Sequence, residues 1–189
     1  MGDVAMKLEF IMSRLYTLHP KEATGQAAEL FASIKTSIGM IPNTHVTIGS
    51  NSPAVLAGIL AHDTALKSSS LSAQEIEAIN LVVSETTGCS YCLAAHTALG
   101  KMAGFTLEQT KKLRTGRYDE NFKLDALVHF AHELITTRGE VPDDTLAAIR
   151  AVGYNDTQIV EVMSAMGGIF LYNLINRVAA PALDFPKID

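Results

Sequence analysis

Apolar positions along this chain recur every three to four residues rather than every second one, the spacing of helices that pack on one face. Ala27, Leu30, Phe31 and Ile34 form such a stripe within a helix expected over 24–38. Gly39 stops it, and Ile41-Pro42-Asn43 reads as a turn. A second helix is expected after Ser52-Pro53, with Val55, Ile59 and Leu66 inward. Ser72 and Glu75 have capping-box spacing, in which each side chain accepts a hydrogen bond from the other residue's backbone N–H. Ile76, Ile79 and Val83 then mark the buried face of a helix ending near Thr87-Gly88. The next helix starts at or beside Cys89, runs to about Met102 and is closed by Gly104, and 106–109 is another capping box. Helices over 124–137, 142–152 and 155–178 complete the series. No run alternates as a half-buried strand would, so the expected fold class is all-α.

Ala61-His62, Leu71 and 76–79 have an echo seventy positions later in Ala131-His132, Val141 and 146–149. A duplicated helix pair would produce this, and so would coincidence among alanine-rich helices. At 189 residues the chain is one domain or two small halves sharing a core. That length buries roughly 70% of the surface the unfolded chain exposes, so no covalent staples are required. We read 1–189 as a single all-helical domain with 1–23 as an N-terminal arm. Composition is globular, 48% hydrophobic and 19% charged, with a net charge of −5. That mild acidity, without a basic stripe, argues against nucleic acid as a partner. The N-terminus lacks the basic and apolar regions of a secretory signal. The most apolar stretch, 163–181, is interrupted by Asn173, Asn176 and Arg177, so no uninterrupted membrane span is expected. The expected address is the cytoplasm, where two close thiols are usually catalytic, redox-sensing or metal-binding.

Both cysteines lie in Thr87-Gly88-Cys89-Ser90-Tyr91-Cys92-Leu93-Ala94-Ala95-His96. On a helix starting at Cys89, the spacings of three, four and seven bring Cys89, Cys92 and His96 within about 60° of arc. The first helical turn offers unpaired N–H groups and the positive end of the helix dipole, which favour a thiolate, the form that attacks. His96, one turn beyond Cys92, could take its proton directly or through water. After oxidation, the second cysteine is near enough to resolve a sulfenic acid as a disulfide. Zinc is the main rival: Cys89, Cys92 and His96 are permissible ligands, with His129 and His132 the only plausible supplement. Plain packing is a weaker alternative for a C-x-x-C pair in a chain with no other cysteine. His62, His129 and His132 taken singly read as ordinary helix histidines.

Glu77 lies twelve residues before Cys89. The set Glu77, Cys89, Cys92 and His96 resembles the signature of the alkylhydroperoxidase D-like branch of the carboxymuconolactone decarboxylase superfamily. The similarity extends to Leu71-Ser72, Glu75, Val83-Ser84-Glu85 and Gly39-Met40-Ile41-Pro42-Asn43, and covers about residues 30–179. It implies an all-α alkylhydroperoxidase D-like fold, association as homo-trimers or homo-hexamers, and thiol peroxidase activity without haem, flavin or metal. By the resemblance, Cys92 attacks the hydroperoxide and Cys89 is the resolving thiol that meets a dithiol reductant, lipoyl or thioredoxin-like. Glu77 and His96 correspond to the proton-relay pair. Glu77 can hold one imidazole nitrogen while the other faces Cys92, with Glu85 as the fallback carboxylate. Well-known members carry a histidine just before the second cysteine, where this chain has Tyr91. An unperturbed phenol, with a pKa of about 10, donates a hydrogen bond but is a poor neutral-pH base. A non-enzymatic redox sensor and a lactone-acid decarboxylase are the rival functions, and retention of both thiols argues against the latter.

Overall fold

The computed structural model describes residues 13–188. Among these, nine α-helices and one 3₁₀ turn (Pro20–Glu22) account for the regular structure, and no strand occurs. The helices are α1 Gly25–Ile38, α2 Asn43–Asn51, α3 Pro53–Lys67, α4 Ala73–Thr87, α5 Ser90–Met102, α6 Leu107–Arg114, α7 Phe122–Thr136, α8 Asp143–Ala151 and α9 Asp156–Ala179. The all-α expectation is borne out. Both capping boxes form, Ser72 with Glu75 and Thr106 with Gln109, so these starts are written in four-residue codes. Gly39 and Gly88 end α1 and α4 in the left-handed conformation that only glycine adopts without strain.

Two expectations need correction. Asn43, read as part of a turn, opens a helix over Asn43–Asn51 that the sequence pattern did not predict, α2, beginning after Pro42. Its sequence, rich in Thr, Val, Ile and Gly, has low helix propensity. Burial of Thr44, Val46, Thr47, Ile48 and Gly49 supplies what propensity lacks. In α3 the inward residues are Leu56 and Ile59, whereas Val55 is 46% exposed. Ile59 and Leu66 face inward as expected, and Leu56 takes the place expected for Val55.

The described chain divides into two compact units, 13–63 with Leu174–Asp184, and Thr64–Asn173 with 185–188. The first is built on Phe31, Ile34, Val46, Ile48 and Leu56. Of the expected N-terminal arm, 1–12 lies outside the described residues. The remainder is tied down within this unit: the Leu18 N–H donates to Ser50 Oγ (2.9 Å), and Asn51 Nδ2 donates to the Tyr16 carbonyl (2.8 Å).

The second unit is organised around α4, which packs against α5, α6 and α7. Ala78, Ile79, Leu81, Val82 and Val83 are fully buried, so this helix is enclosed on nearly every side. The first turn of α4 also holds a buried carboxylate. Glu75 Oε1 accepts from the Tyr154 hydroxyl (2.6 Å) and pairs with Lys123 Nζ (3.0 Å), which lies 4.5 Å over the Tyr154 ring. The proposed echo falls on α3–α4 and α7–α8, whose second members differ in length, 15 against 9 residues. The last helix is long and apolar enough to cross a bilayer by length and composition. In the second unit it instead contributes Ile159, Val162, Ala165, Met166 and Ile169 to the core.

Candidate redox site

The site forms where α4 turns into α5. The Gly88 N–H donates to the Glu85 carbonyl (3.0 Å), and the Cys89 N–H to the Ser84 carbonyl (2.9 Å). With Gly88 at φ 71°, the chain reverses and Cys89 becomes the N-cap of α5. Its Sγ accepts the Cys92 N–H at 3.3 Å. Thiols replace the usual hydroxyl or carboxylate at this cap, so the helix end that would bind an anion faces sulfur. The Cα atoms of Cys89 and Cys92 are 5.3 Å apart and the two sulfurs are at disulfide-bonding distance. The residues are only 1% and 2% exposed.

His96 lies one helical turn beyond Cys92. Its Nδ1 is 2.8 Å from Glu77 Oε2, and both side chains are largely buried. A carboxylate at Nδ1 selects the tautomer with Nδ1 protonated, leaving Nε2 as the acceptor. Asn80 Nδ2 makes a long contact, 3.5 Å, with the other oxygen of Glu77. Glu77 and Asn80 are three residues apart on α4, so they share its face.

The remaining predicted residues are placed differently. Tyr91 is buried in α5 with its ring edge-on to Phe185, centroids 5.7 Å apart. Glu85, the fallback partner of His96, is held instead by Arg114 Nε at 2.6 Å, on α6. His132 lies 3.9 Å from its neighbour Glu133. Among the described residues no group of three or more His, Cys, Asp or Glu side chains is placed to hold a metal ion. His129 and His132 therefore do not complete a ligand set with the cysteines.

Sequence reasoning did not find Asn80, Arg114 or Phe185. Asn80 could have been found from its i+3 spacing to Glu77. Arg114 and Phe185 approach only through tertiary packing and left no local signal.

Residues 53–121 match the sequence profile of the Carboxymuconolactone decarboxylase family. No curated protein is significantly similar in sequence. Among solved structures, an alkylhydroperoxidase AhpD core, an uncharacterized peroxidase-related protein from Ralstonia eutropha JMP134, superposes with a TM-score of 0.81 at 19% identity. The match covers 92% of this chain and 93% of that one. A peroxidase-related protein from Silicibacter sp. TM1040 gives 0.72 at 22% identity over 90% and 94%. A debrominase, Bmp8, in complex with 2,3,4-tribromopyrrole, gives 0.77 at 15% identity over 92% and 93%. At these identities the structures establish the shared fold, while the profile match covers α3 through α6 and includes both cysteines. The chain thus carries the Carboxymuconolactone decarboxylase family profile over 53–121, within a fold that it shares with these alkylhydroperoxidase-like structures.

Proposed function

We propose that the chain is a thiol-dependent peroxidase in which Cys89 and Cys92 cycle between dithiol and disulfide. One observation carries the reading: the two sulfurs are at bonding distance at the start of α5, with a Glu77-bound His96 one turn beyond Cys92. In the proposed cycle, His96 Nε2 takes the Cys92 proton. The thiolate attacks the distal oxygen of a hydroperoxide, the O–O bond breaks, and the departing alkoxide receives the proton from His96. Cys92 is now a sulfenic acid. The Cys89 thiol condenses with it, releasing water and forming the disulfide. A dithiol reductant of lipoyl or thioredoxin type then attacks the disulfide through a mixed disulfide and leaves as its own cyclic disulfide. The two electrons that reduce the peroxide thus come from the dithiol, in a reducing, cytoplasmic setting.

Cys92→Ser tests this directly. Peroxide consumption coupled to a dithiol falls to background if Cys92 is the nucleophile, and turnover that survives the change overturns the mechanism. Thiol titration before and after stoichiometric peroxide, with mass spectrometric location of the bond, should yield a Cys89–Cys92 disulfide. Full thiol recovery without it points to the lactone-acid decarboxylase reading. A Cys89–Cys92 bond that forms without turnover points to a redox sensor.

A second assignment of roles is favoured by the cap itself. Cys89 Sγ, at the N-cap of α5, accepts the Cys92 N–H, an environment that favours a thiolate at Cys89. Alkylation rates of Cys89→Ser and Cys92→Ser across pH separate the two. A lower thiol pKa in Cys92→Ser, where Cys89 remains, supports Cys89 as the attacking sulfur. For assembly, we assign self-association as a trimer or hexamer to the exposed Val160, Met163 and Leu171 on α9, within the second unit. Sedimentation of wild type against Leu171→Asp checks this.

A further inference from the structure

Asn173 is an amide in the C-terminal third of α9 and is completely buried. Within the second unit it reaches the last turn of α4. Its Nδ2 donates to Ser84 Oγ (3.2 Å), and its Oδ1 accepts from the Thr87 hydroxyl (2.8 Å). The Thr87 hydroxyl is equally close to the Val83 carbonyl (2.8 Å), so the amide and the helix backbone compete for one proton. Ser84 in turn supplies the carbonyl that accepts the Cys89 N–H (2.9 Å), and Thr87 directly precedes Gly88. Three consecutive links therefore run from Asn173 to the sulfur pair: amide to Ser84 and Thr87, Ser84 to the Cys89 backbone, and Cys89 Sγ to the Cys92 N–H.

Packing alone would not ask for an amide here. Leucine has the same branched side-chain outline, and a buried polar network is often no more stabilising than its apolar replacement. What the network does, and leucine cannot, is fix the orientation of a particular turn. That turn aims the backbone entering the redox pair, whose Cα atoms lie 5.3 Å apart.

We propose that Asn173 is a positioning residue for the Cys89–Cys92 pair, holding the last turn of α4 so that the thiols are presented for disulfide closure. This rests on the reading of the pair as a dithiol/disulfide couple. Loosening the turn lowers the effective concentration of one thiol at the other, so the disulfide becomes easier to reduce and slower to form. The couple is written as disulfide plus two glutathione thiols giving protein dithiol plus glutathione disulfide.

The experiment equilibrates the full chain in glutathione redox buffers, quenches with an alkylating reagent and reads the oxidised fraction by mass. Wild type, Asn173→Ala, Asn173→Leu and Ser84→Ala are compared with Leu127→Ala, a core truncation on α7. The inference expects both Asn173 variants to weaken the disulfide at least threefold, a rise of about 14 mV for a two-electron couple. Ser84→Ala shifts the same way. Leu127→Ala lowers the melting temperature without moving the potential. If wild type shows a reversible couple and Asn173→Leu leaves it within threefold, the positioning role is wrong. A shift in Leu127→Ala equal to that in the Asn173 variants also overturns it, because general loosening then suffices. If wild type shows no reversible couple, the redox reading itself fails, and this inference with it.

Discussion

Tyr154→Phe should cost about 2 kcal/mol at neutral pH, and the cost should shrink by about half in acid. The Tyr154 hydroxyl donates to Glu75 at 2.6 Å, and a hydrogen bond to a charged group contributes about 1.5–3 kcal/mol. Burial by itself would raise the Glu75 pKa. Hydrogen bonds from Tyr154, the Ser72 backbone, Lys123 and the Ser72 hydroxyl more than offset it and bring the pKa from 4.5 down to about 2. A depressed carboxylate pKa stabilises the fold fully above the unfolded value of 4.5, and the contribution is lost as pH falls toward 2. The full shift corresponds to about 3 kcal/mol. Lys123 is 44% exposed and its share is screened, so about 2 kcal/mol is the working figure. In Tyr154→Phe the folded pKa returns toward 4.5, and the variant has less to lose on acidification. Once Glu75 is protonated, the wild type keeps only a neutral hydrogen bond of about 1 kcal/mol. Urea unfolding of both proteins from pH 7 to pH 2.5 is the assay. Other carboxylates titrate in both proteins and cancel in the difference. Stability curves that stay parallel down to pH 2.5 would refute the coupling of Tyr154 to the Glu75 charge.

Three further outcomes follow from the geometry. Gly49→Ala should destabilise by about 1–2 kcal/mol despite alanine's better helix propensity. Its Cβ would sit 2.5 Å from Phe31 and 2.8 Å from Leu56, both buried with nowhere to retreat; a gain in melting temperature would contradict the packing. Burial lowers the His45 pKa from 6.5 to about 4, so it stabilises the fold above pH 6.5 and that contribution is lost as pH falls toward 4. His45→Gln should flatten the stability curve in that window, and an unchanged slope counts against it. Glu77→Gln should slow dithiol-coupled peroxide turnover by about a hundredfold, because the imidazole loses the carboxylate that orients it. Glu85→Gln, which breaks the pair with Arg114, should cost less than tenfold; equal losses in the two variants would remove the basis for preferring Glu77.

The helices carrying the chemistry were legible because their ends are coded locally. A capping box and a glycine bracket α4, and a second box starts α6, so periodicity and punctuation agreed. Helix α2 was not legible, since its sequence disfavours a helix and only burial in the first unit makes one. Val55 was misplaced for a related reason, while Ile59 and Leu66 were not, as adjacent apolar residues fit either face until a neighbour is present.

The same division runs through the site. Spacing by itself put Cys92 and His96 one turn apart on α5, because helix geometry is a local property of the backbone. Family likeness added Glu77, and the 2.8 Å contact with His96 depends on α4 and α5 packing side by side. Which carboxylate meets the imidazole was a tertiary decision: Arg114 occupies Glu85, and Glu77 faces His96. So was the purpose of Asn173, which in sequence only interrupts an apolar stretch and in the fold grips the turn that feeds Cys89. Local rules act over one or two helical turns. Partners separated by 86 and 89 positions meet only when the chain has buried its core.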